Sequence, residues 1–405
     1  MRAIKFFLFT LLVKGTFFIP QATAQNMTSS PYSMFGIGEP VENLYGPLSA
    51  MGGVSYGMRG GSLLNSTNPA AFTALDSCHL IAEASVFMKL EDYASKGETS
   101  HSWQGNFARF TLGGRILKRW YTGGGVLPYS SVGYYFITQE PLEGTANSYV
   151  ISEFEGSGGL SKVYWTNAFL LSRHWSAGVN LSYIFGKLTY TEMQSSMAET
   201  QQLSARSFYA DFGIQYITRF NKHTSFTGGA VYGYRQQLTF DNEISVSGEN
   251  TYSSEVKRKV VQYLPEFYGI GGCLHYKKMY YALDYSLNKY SILPTTDSRI
   301  KFRDRHQLKA GISYAPDSYL SDKYRRRMEY KAGLSVATPY LMISGNKGKN
   351  YMATLGVDFP TLDGKVGVTL FYDRTQYGQR LLTKNVIGFT LTYTLHERFF
   401  RKKIE

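Results

Sequence analysis

Residues 383–395, Thr-Lys-Asn-Val-Ile-Gly-Phe-Thr-Leu-Thr-Tyr-Thr-Leu, separate into two sets when read as an extended chain. Ile387, Phe389, Leu391, Tyr393 and Leu395 fall on one side, and Gly388, Thr390, Thr392 and Thr394 on the other. A period of two with one apolar face is the mark of a β-strand. The same division returns along the chain. Leu181, Tyr183 and Phe185 oppose Asn180, Ser182 and Gly186, and Phe208, Phe212 and Ile214 oppose Tyr209, Asp211 and Gly213. A soluble sandwich alternates as well, but its second face meets water and tends towards long charged residues. Here the second face is mostly Gly, Ser, Thr and Asn, which suits a crowded interior. The reading is an all-β transmembrane antiparallel β-barrel, apolar outside and small inside.

Working outward from that strand, others are expected near 80–90, 102–117, 119–138, 159–171, 174–190, 204–219, 223–240, 258–276, 279–291, 302–315, 327–337, 350–359 and 365–374. The total is about 14, an even number as single-chain bacterial barrels require. Closure has a physical cause, because a sheet edge in hydrocarbon leaves its N–H and C=O groups unpaired. Very short turns fall at 118–119, 172–174, 220–223, 277–278 and 360–364. Longer polar loops fall at 93–100, 140–158, 192–202, 241–257, 293–301 and 375–380. Short–long alternation is the habit of outer-membrane barrels, with short turns on the periplasmic side. Residues 316–326 should form a short turn and are long for one.

Composition agrees. The chain has 33 Tyr and 26 Phe, an amount that two interfacial aromatic girdles would use. After the N-terminus no run of 18 apolar residues exists, so spanning helices are excluded. Arg2 and Lys5, an apolar stretch at 6–13 interrupted afterwards by Lys14, and Ala22-Thr23-Ala24 before Gln25 form a cleavable signal peptide. The expected organisation is a signal peptide at 1–24, an N-terminal hatch or plug at 25–76, and the barrel at 77–405 with a short periplasmic C-terminal tail. The expected address is the bacterial outer membrane. Net charge is +13, but the cations are scattered over turns, with clusters at 323–327 and 401–403. An exported chain meets membrane lipid and lipopolysaccharide, and no nucleic acid is expected as a partner. Cys78 and Cys273 fall in opposite phases of distant strands and are read as two free thiols.

Two stretches break the alternation. Residues 46–76 are rich in Gly and small side chains, have no clean period, and contain Asn68-Pro69-Ala70-Ala71. They read as the plug. Pro128 interrupts Gly123-Gly124-Gly125-Val126-Leu127-Pro128-Tyr129, a stretch otherwise reading as wall. Proline cannot donate to a ladder, so the wall must bend or open there. The alternatives are a local bulge without function and a gap through which a solute leaves sideways.

The pattern at 46–71 resembles the N-terminal hatch of FadL-type outer-membrane transporters, and residues 123–133 resemble that family's Gly-rich third strand with a proline followed by an aromatic. Residues 30–38 and the ending 395–403 are similar to a variant of the family found in Bacteroidetes. The resemblance implies passive uptake of small hydrophobic molecules, long-chain fatty acids or apolar aromatics, by lateral diffusion through a gap at a kinked third strand. It places Asn68, Pro69 and Ala70 in the hatch and Pro128, flanked by Gly125 and Tyr129, at the kink. No enzyme activity and no cofactor are implied. The alternative is an outer-membrane scaffold for protein secretion or surface attachment, holding protein partners at loops such as 140–158 and 241–257.

Other chemistry finds little support. Gly123–Gly125 lacks a Walker lysine. The seven histidines have no metal-ligand spacing, and no metal site is expected. No Ser and His pair with a third partner suggests a hydrolase. Asp211, Asp284 and Asp373 fall on the inward face and are expected to pair with inward cations such as Lys309 or Lys331, since a buried charge needs a partner.

Overall fold

The computed structural model describes residues 27–41, 45–95, 98–141, 149–194, 197–248, 251–294, 300–316, 323–343, 348–378 and 382–398. The leader at 1–24, the basic cluster at 401–403, residues 142–148 of the loop at 140–158 and most of the turn at 316–326 lie outside the described residues.

Fourteen wall strands follow one another around a ring. The first seven are His79–Ser95 (β1), Glu98–Arg115 (β2), Trp120–Pro141 (β3), Tyr149–Leu170 (β4), Trp175–Gln194 (β5), Met197–Asn221 (β6), and Thr224–Gly233 with Gln236–Gly248 (β7). The rest are Thr251–Leu264 with Glu266–Tyr276 (β8), Met279–Lys289 (β9), Arg305–Tyr314 (β10), Glu329–Ala337 (β11), Lys349–Thr361 (β12), Gly364–Tyr377 (β13) and Leu382–Arg398 (β14). Strand β8 is split at Pro265, which has no N–H to give. Each strand pairs antiparallel with the next, and β14 pairs with β1 from Thr383↔Ala94 to Arg398↔His79, closing the ring.

The two faces fall as the alternation requires. Ile387, Phe389, Leu391 and Tyr393 are exposed, while Thr390, Thr392 and Thr394 are buried. Leu181 and Phe185 point out; Asn180 and Ser182 point in. No described helix is long and apolar enough to cross a membrane. The strands make the crossing instead, with the closed ladder satisfying their backbone groups.

Residues 46–75 lie inside the ring, and inward glycines make room for them. A Cβ on Gly178 would stand 2.6 Å from the Pro69 carbonyl carbon, and one on Gly311 2.5 Å from the Met51 carbonyl oxygen. Side chains on Gly213, Gly229 and Gly333 would overlap Asn68, Tyr56 and Gly52 outright. The small inward face of the wall is the complement of this irregular segment.

The expected loops at 93–100, 192–202 and 241–257 are instead almost wholly strand. Ser95 opposes Glu98, Gln194 opposes Met197, and Gly248 opposes Thr251 in continuous ladders. Their polarity reflects the end of the lipid layer rather than the end of pairing. Beyond that level the faces exchange character. On β5 the inward set changes from Ser176, Asn180 and Ser182 to Ile184 and Leu188, while exposed Leu181 and Phe185 give way to exposed Lys187. Ile184 and Leu188 join Val132, Leu160, Leu238, Phe240 and Leu264 in an apolar cluster that also takes Ile37. A second cluster of Tyr93, Tyr290, Tyr340, Leu341 and Tyr377 packs against Tyr32 and Phe35. Both involve the N-terminal segment and cover the lumen at the long-hairpin end.

Candidate functional site

Among the described residues, the one ladder that stops far short of its strands lies between β2 and β3. Their pairing runs only from Phe110↔Val126 to Arg115↔Tyr121. Gly125 is inside it, opposite Thr111. From Leu127 onward β3 keeps its partner β4 but has no register with β2, although both strands continue. Pro128 opposes Ser161 and Ser130 opposes Leu160, so Tyr129 is the extra residue of a bulge. A missing N–H and a bulge at one point turn the edge of β3 away from its neighbour.

Residues 27–41 occupy the seam from the luminal side. Glu39–Pro40 forms a two-residue antiparallel strand on Ser131 and Ser130 of β3. The Val41 N–H donates to the Tyr129 carbonyl at 3.0 Å, Ser130 Oγ to the Ile37 carbonyl at 2.6 Å, and the Met27 N–H to Ser131 Oγ at 2.9 Å. One strand past the other bank, the Ser29 N–H and hydroxyl both donate to Glu91 of β1 at 3.0 Å. Glu91 also meets Lys89 at 2.7 Å and Lys384 at 3.1 Å, and Lys384 reaches Glu39 at 2.8 Å. This buried network fastens the N-terminal segment across the interruption. The sequence reading missed it; the signal available was Glu91 and Lys384 standing in the inward phase of β1 and β14.

Asn68, Pro69 and Ala70 are buried on the luminal side of β5 and β6, and Phe72 of the same turn lies against Gly113 of β2 and Gly123 of β3. Asn68 caps the 3-10 turn Pro69–Ala74 by accepting the Ala70 N–H at 3.2 Å. Its Nδ2 donates to the Tyr56 carbonyl at 2.8 Å and to Ile214 of the wall at 3.3 Å. Elsewhere, inward side chains satisfy the backbone of this irregular segment. Lys309 and Lys331 donate to the Gly53 and Pro47 carbonyls at 3.4 and 3.3 Å. Arg109 donates to Leu64 at 3.0 Å, Asn180 to Ser66 and Gln215 to Tyr56 at 2.9 Å each. Asp284 accepts the N–H groups of Ser55 and Tyr56. Burial, reinforced by Asp284, pushes the Tyr56 phenol far above its usual range. A buried backbone without regular structure needs such partners.

The expected charge pairs are therefore partly corrected. Lys331 pairs with Asp358 at 2.7 Å and Glu329 at 3.5 Å. Asp211 pairs with Lys162 at 3.7 Å, and Asp373 accepts from Asn350 at 2.7 Å. Asp284 stands opposite Lys309 in the ladder, but its oxygen is used by the luminal backbone. Backbone groups of the luminal segment compete for Asp284, Lys309 and Lys331, which strand phase alone does not reveal.

Behind the bulge is a cavity of about 200 Å³ lined by Leu127, Pro128, Tyr129 and Phe267 together with Lys162, Asp211, Arg305 and Lys309. It joins an apolar wall to a charged one. Among the described residues no three His, Cys, Asp or Glu side chains come together as metal ligands. Cys78 is exposed and Cys273 buried, and both are free.

The sequence matches the BamG family model over residues 4–404. The chain belongs to the BamG family. No curated protein matches it. Among solved structures, the fold is similar to that of a FadL homologue from Pseudomonas aeruginosa, with TM-score 0.59 and 11% identity over 90% of this chain and 100% of that one. It is also similar to the Pseudomonas putida toluene transporter TodX, with TM-score 0.57 and 14% identity over 89% and 99% of the two chains. The CymD monoaromatic hydrocarbon channel aligns with TM-score 0.55 and 13% identity over 87% and 98%. The architecture is thus that of the FadL-like outer-membrane barrels.

Proposed function

We propose that this barrel passes small hydrophobic molecules through the outer membrane by way of the cavity behind Pro128 and sideways at the β2–β3 seam. The observation that carries the reading is the coincidence of a broken ladder and an internal cavity at the same proline. Size narrows the solute. A cavity of about 150 Å³ accommodates benzene, so about 200 Å³ suits a single-ring molecule rather than an extended long-chain fatty acid. The structural neighbours named for toluene and monoaromatic hydrocarbons agree with that size. Passage would require residues 27–41 to leave the seam, since they fill it. Residues 46–75 would act as the hatch, with Asn68, Pro69 and Ala70 at its wall contact.

The test uses proteoliposomes and labelled toluene. Pro40→Cys with Ser130→Cys, directly opposite in register, in a Cys78→Ser background, ties the N-terminal segment to β3. Uptake is expected to fall to the protein-free level when the pair is oxidised and to return on reduction. Equal uptake in both states would refute passage through the seam.

A second reading is favoured by one observation, the fastening of the seam and lumen by buried polar contacts. On that reading the barrel is a scaffold in protein secretion or surface attachment, and neither oxidised nor reduced protein takes up toluene or oleate.

A further inference from the structure

We propose that the exposed edge of β3 next to the seam binds an extended, basic segment of another polypeptide by strand addition. Past the stretch held by the N-terminal segment, β3 continues from Tyr134 to Pro141 and β2 back to Glu98, with no register between them. A cleft of about 480 Å³ separates the banks. Ser102, Trp103 and Gly105 line one side, Tyr134 and Tyr135 the other, and Thr28 and Ser29 form the floor. An unpaired strand edge is a template for another strand.

Three observations choose the occupant. The same edge already accepts a strand by antiparallel pairing, Glu39–Pro40 on Ser131 and Ser130, so the next length of edge offers the same geometry. The cleft also stands beyond the level at which β5 turns a charged side chain outward. Exposed Lys187 of β5 opposes Gly159, four residues nearer the lipid than Glu155, which borders the cleft. The third is charge. Residues 98–108, 127–141 and 149–161 carry Glu98, Glu140, Glu153 and Glu155 and no Lys or Arg, in a chain of net charge +13. That field repels anionic lipid headgroups and attracts cations. Exposed Tyr135, Ile137, Tyr149 and Ile151 beside the edge supply apolar contact for alternate side chains of the added strand.

The inference does not rest on solute passage; the uptake assay above and the titration below fail independently. The full-length barrel in nanodiscs is titrated with a fluorescent ten-residue peptide of alternating Lys and Val. Three companions are used: the Glu-Val peptide, a Lys-Val peptide N-methylated at alternate residues, and a Lys-Val peptide ending in Cys. Saturable binding of the Lys-Val peptide is expected, weakened at least tenfold by N-methylation and at least tenfold by Glu153→Lys with Glu155→Lys. Retained heat-modifiable migration of that variant shows that it folds. As a second, milder variant, Tyr135→Cys in the Cys78→Ser background should form a disulfide with the Cys-tagged peptide. Equal affinity for the Glu-Val or the N-methylated peptide, or no saturable binding, would overturn the proposal.

Discussion

Strand β5 crosses two environments in one extended run. In its first part, Leu181 faces lipid and Asn180 faces the luminal segment; in its second, Lys187 faces water and Leu188 faces an apolar cluster. The pleat does not change, yet the polarity of its faces inverts. Alternation therefore establishes the sheet, while the medium on either side decides which face is greasy. The lower part of the wall is held by lipid outside and by hydrogen bonds to residues 46–75 inside. The upper part is held like a soluble protein, by burying Ile184, Leu188, Leu238 and Phe240. A barrel of one character throughout would respond alike at both levels; this one should not.

The largest effect is expected in the lower part. Gly229→Leu places a side chain where the Tyr56 carbonyl stands, and neither backbone can yield. No heat-modifiable barrel band should form on electrophoresis, whereas a normal band would show that residues 46–75 can seat elsewhere. In the upper part, Phe240→Ala empties a fully buried position and should cost about 3–5 kcal/mol. Hydrogen exchange should rise in β5–β8 beyond the lipid level and stay low in β10–β14. A uniform rise would mean that the two parts unfold together. The finest test places one substitution at two heights of the same outward face. Leu181→Arg, in the middle of the lipid band, should cost about 2–4 kcal/mol in urea unfolding from vesicles. Thr189→Arg, two residues past Lys187, should stay within about 0.5 kcal/mol. Equal costs would remove the proposed boundary at Lys187.

Much of the wall was legible because lipid demands a strict outward face. Every expected strand, from 80–90 to 383–395, has its counterpart, and Pro128 stands where the β2–β3 ladder ends. The long hairpins read as loops because Thr189, Thr191 and Glu199 show no apolar outward face; water asks for none. The role of residues 27–41 was not legible, since a segment fastened through Ser29, Glu39 and Met27 has no period to read. Charge partners were half legible: strand phase puts Asp284 and Lys331 inside, but the choice between wall and luminal partners depends on where an irregular backbone runs. The cavity lining joins residues from β3, β4, β6, β8 and β10, and their meeting left no local trace.

The hydroxyl of Ser49 donates to Thr369 of β13 across 320 positions of sequence. Residues near the beginning thus wait for nearly the last hairpin before their contacts are complete. Distant pairing of this kind makes assembly slow, because chain entropy is lost before the reward arrives. Since the inward glycines leave no slack for late entry, rolling up the cylinder and filling it become a single cooperative event.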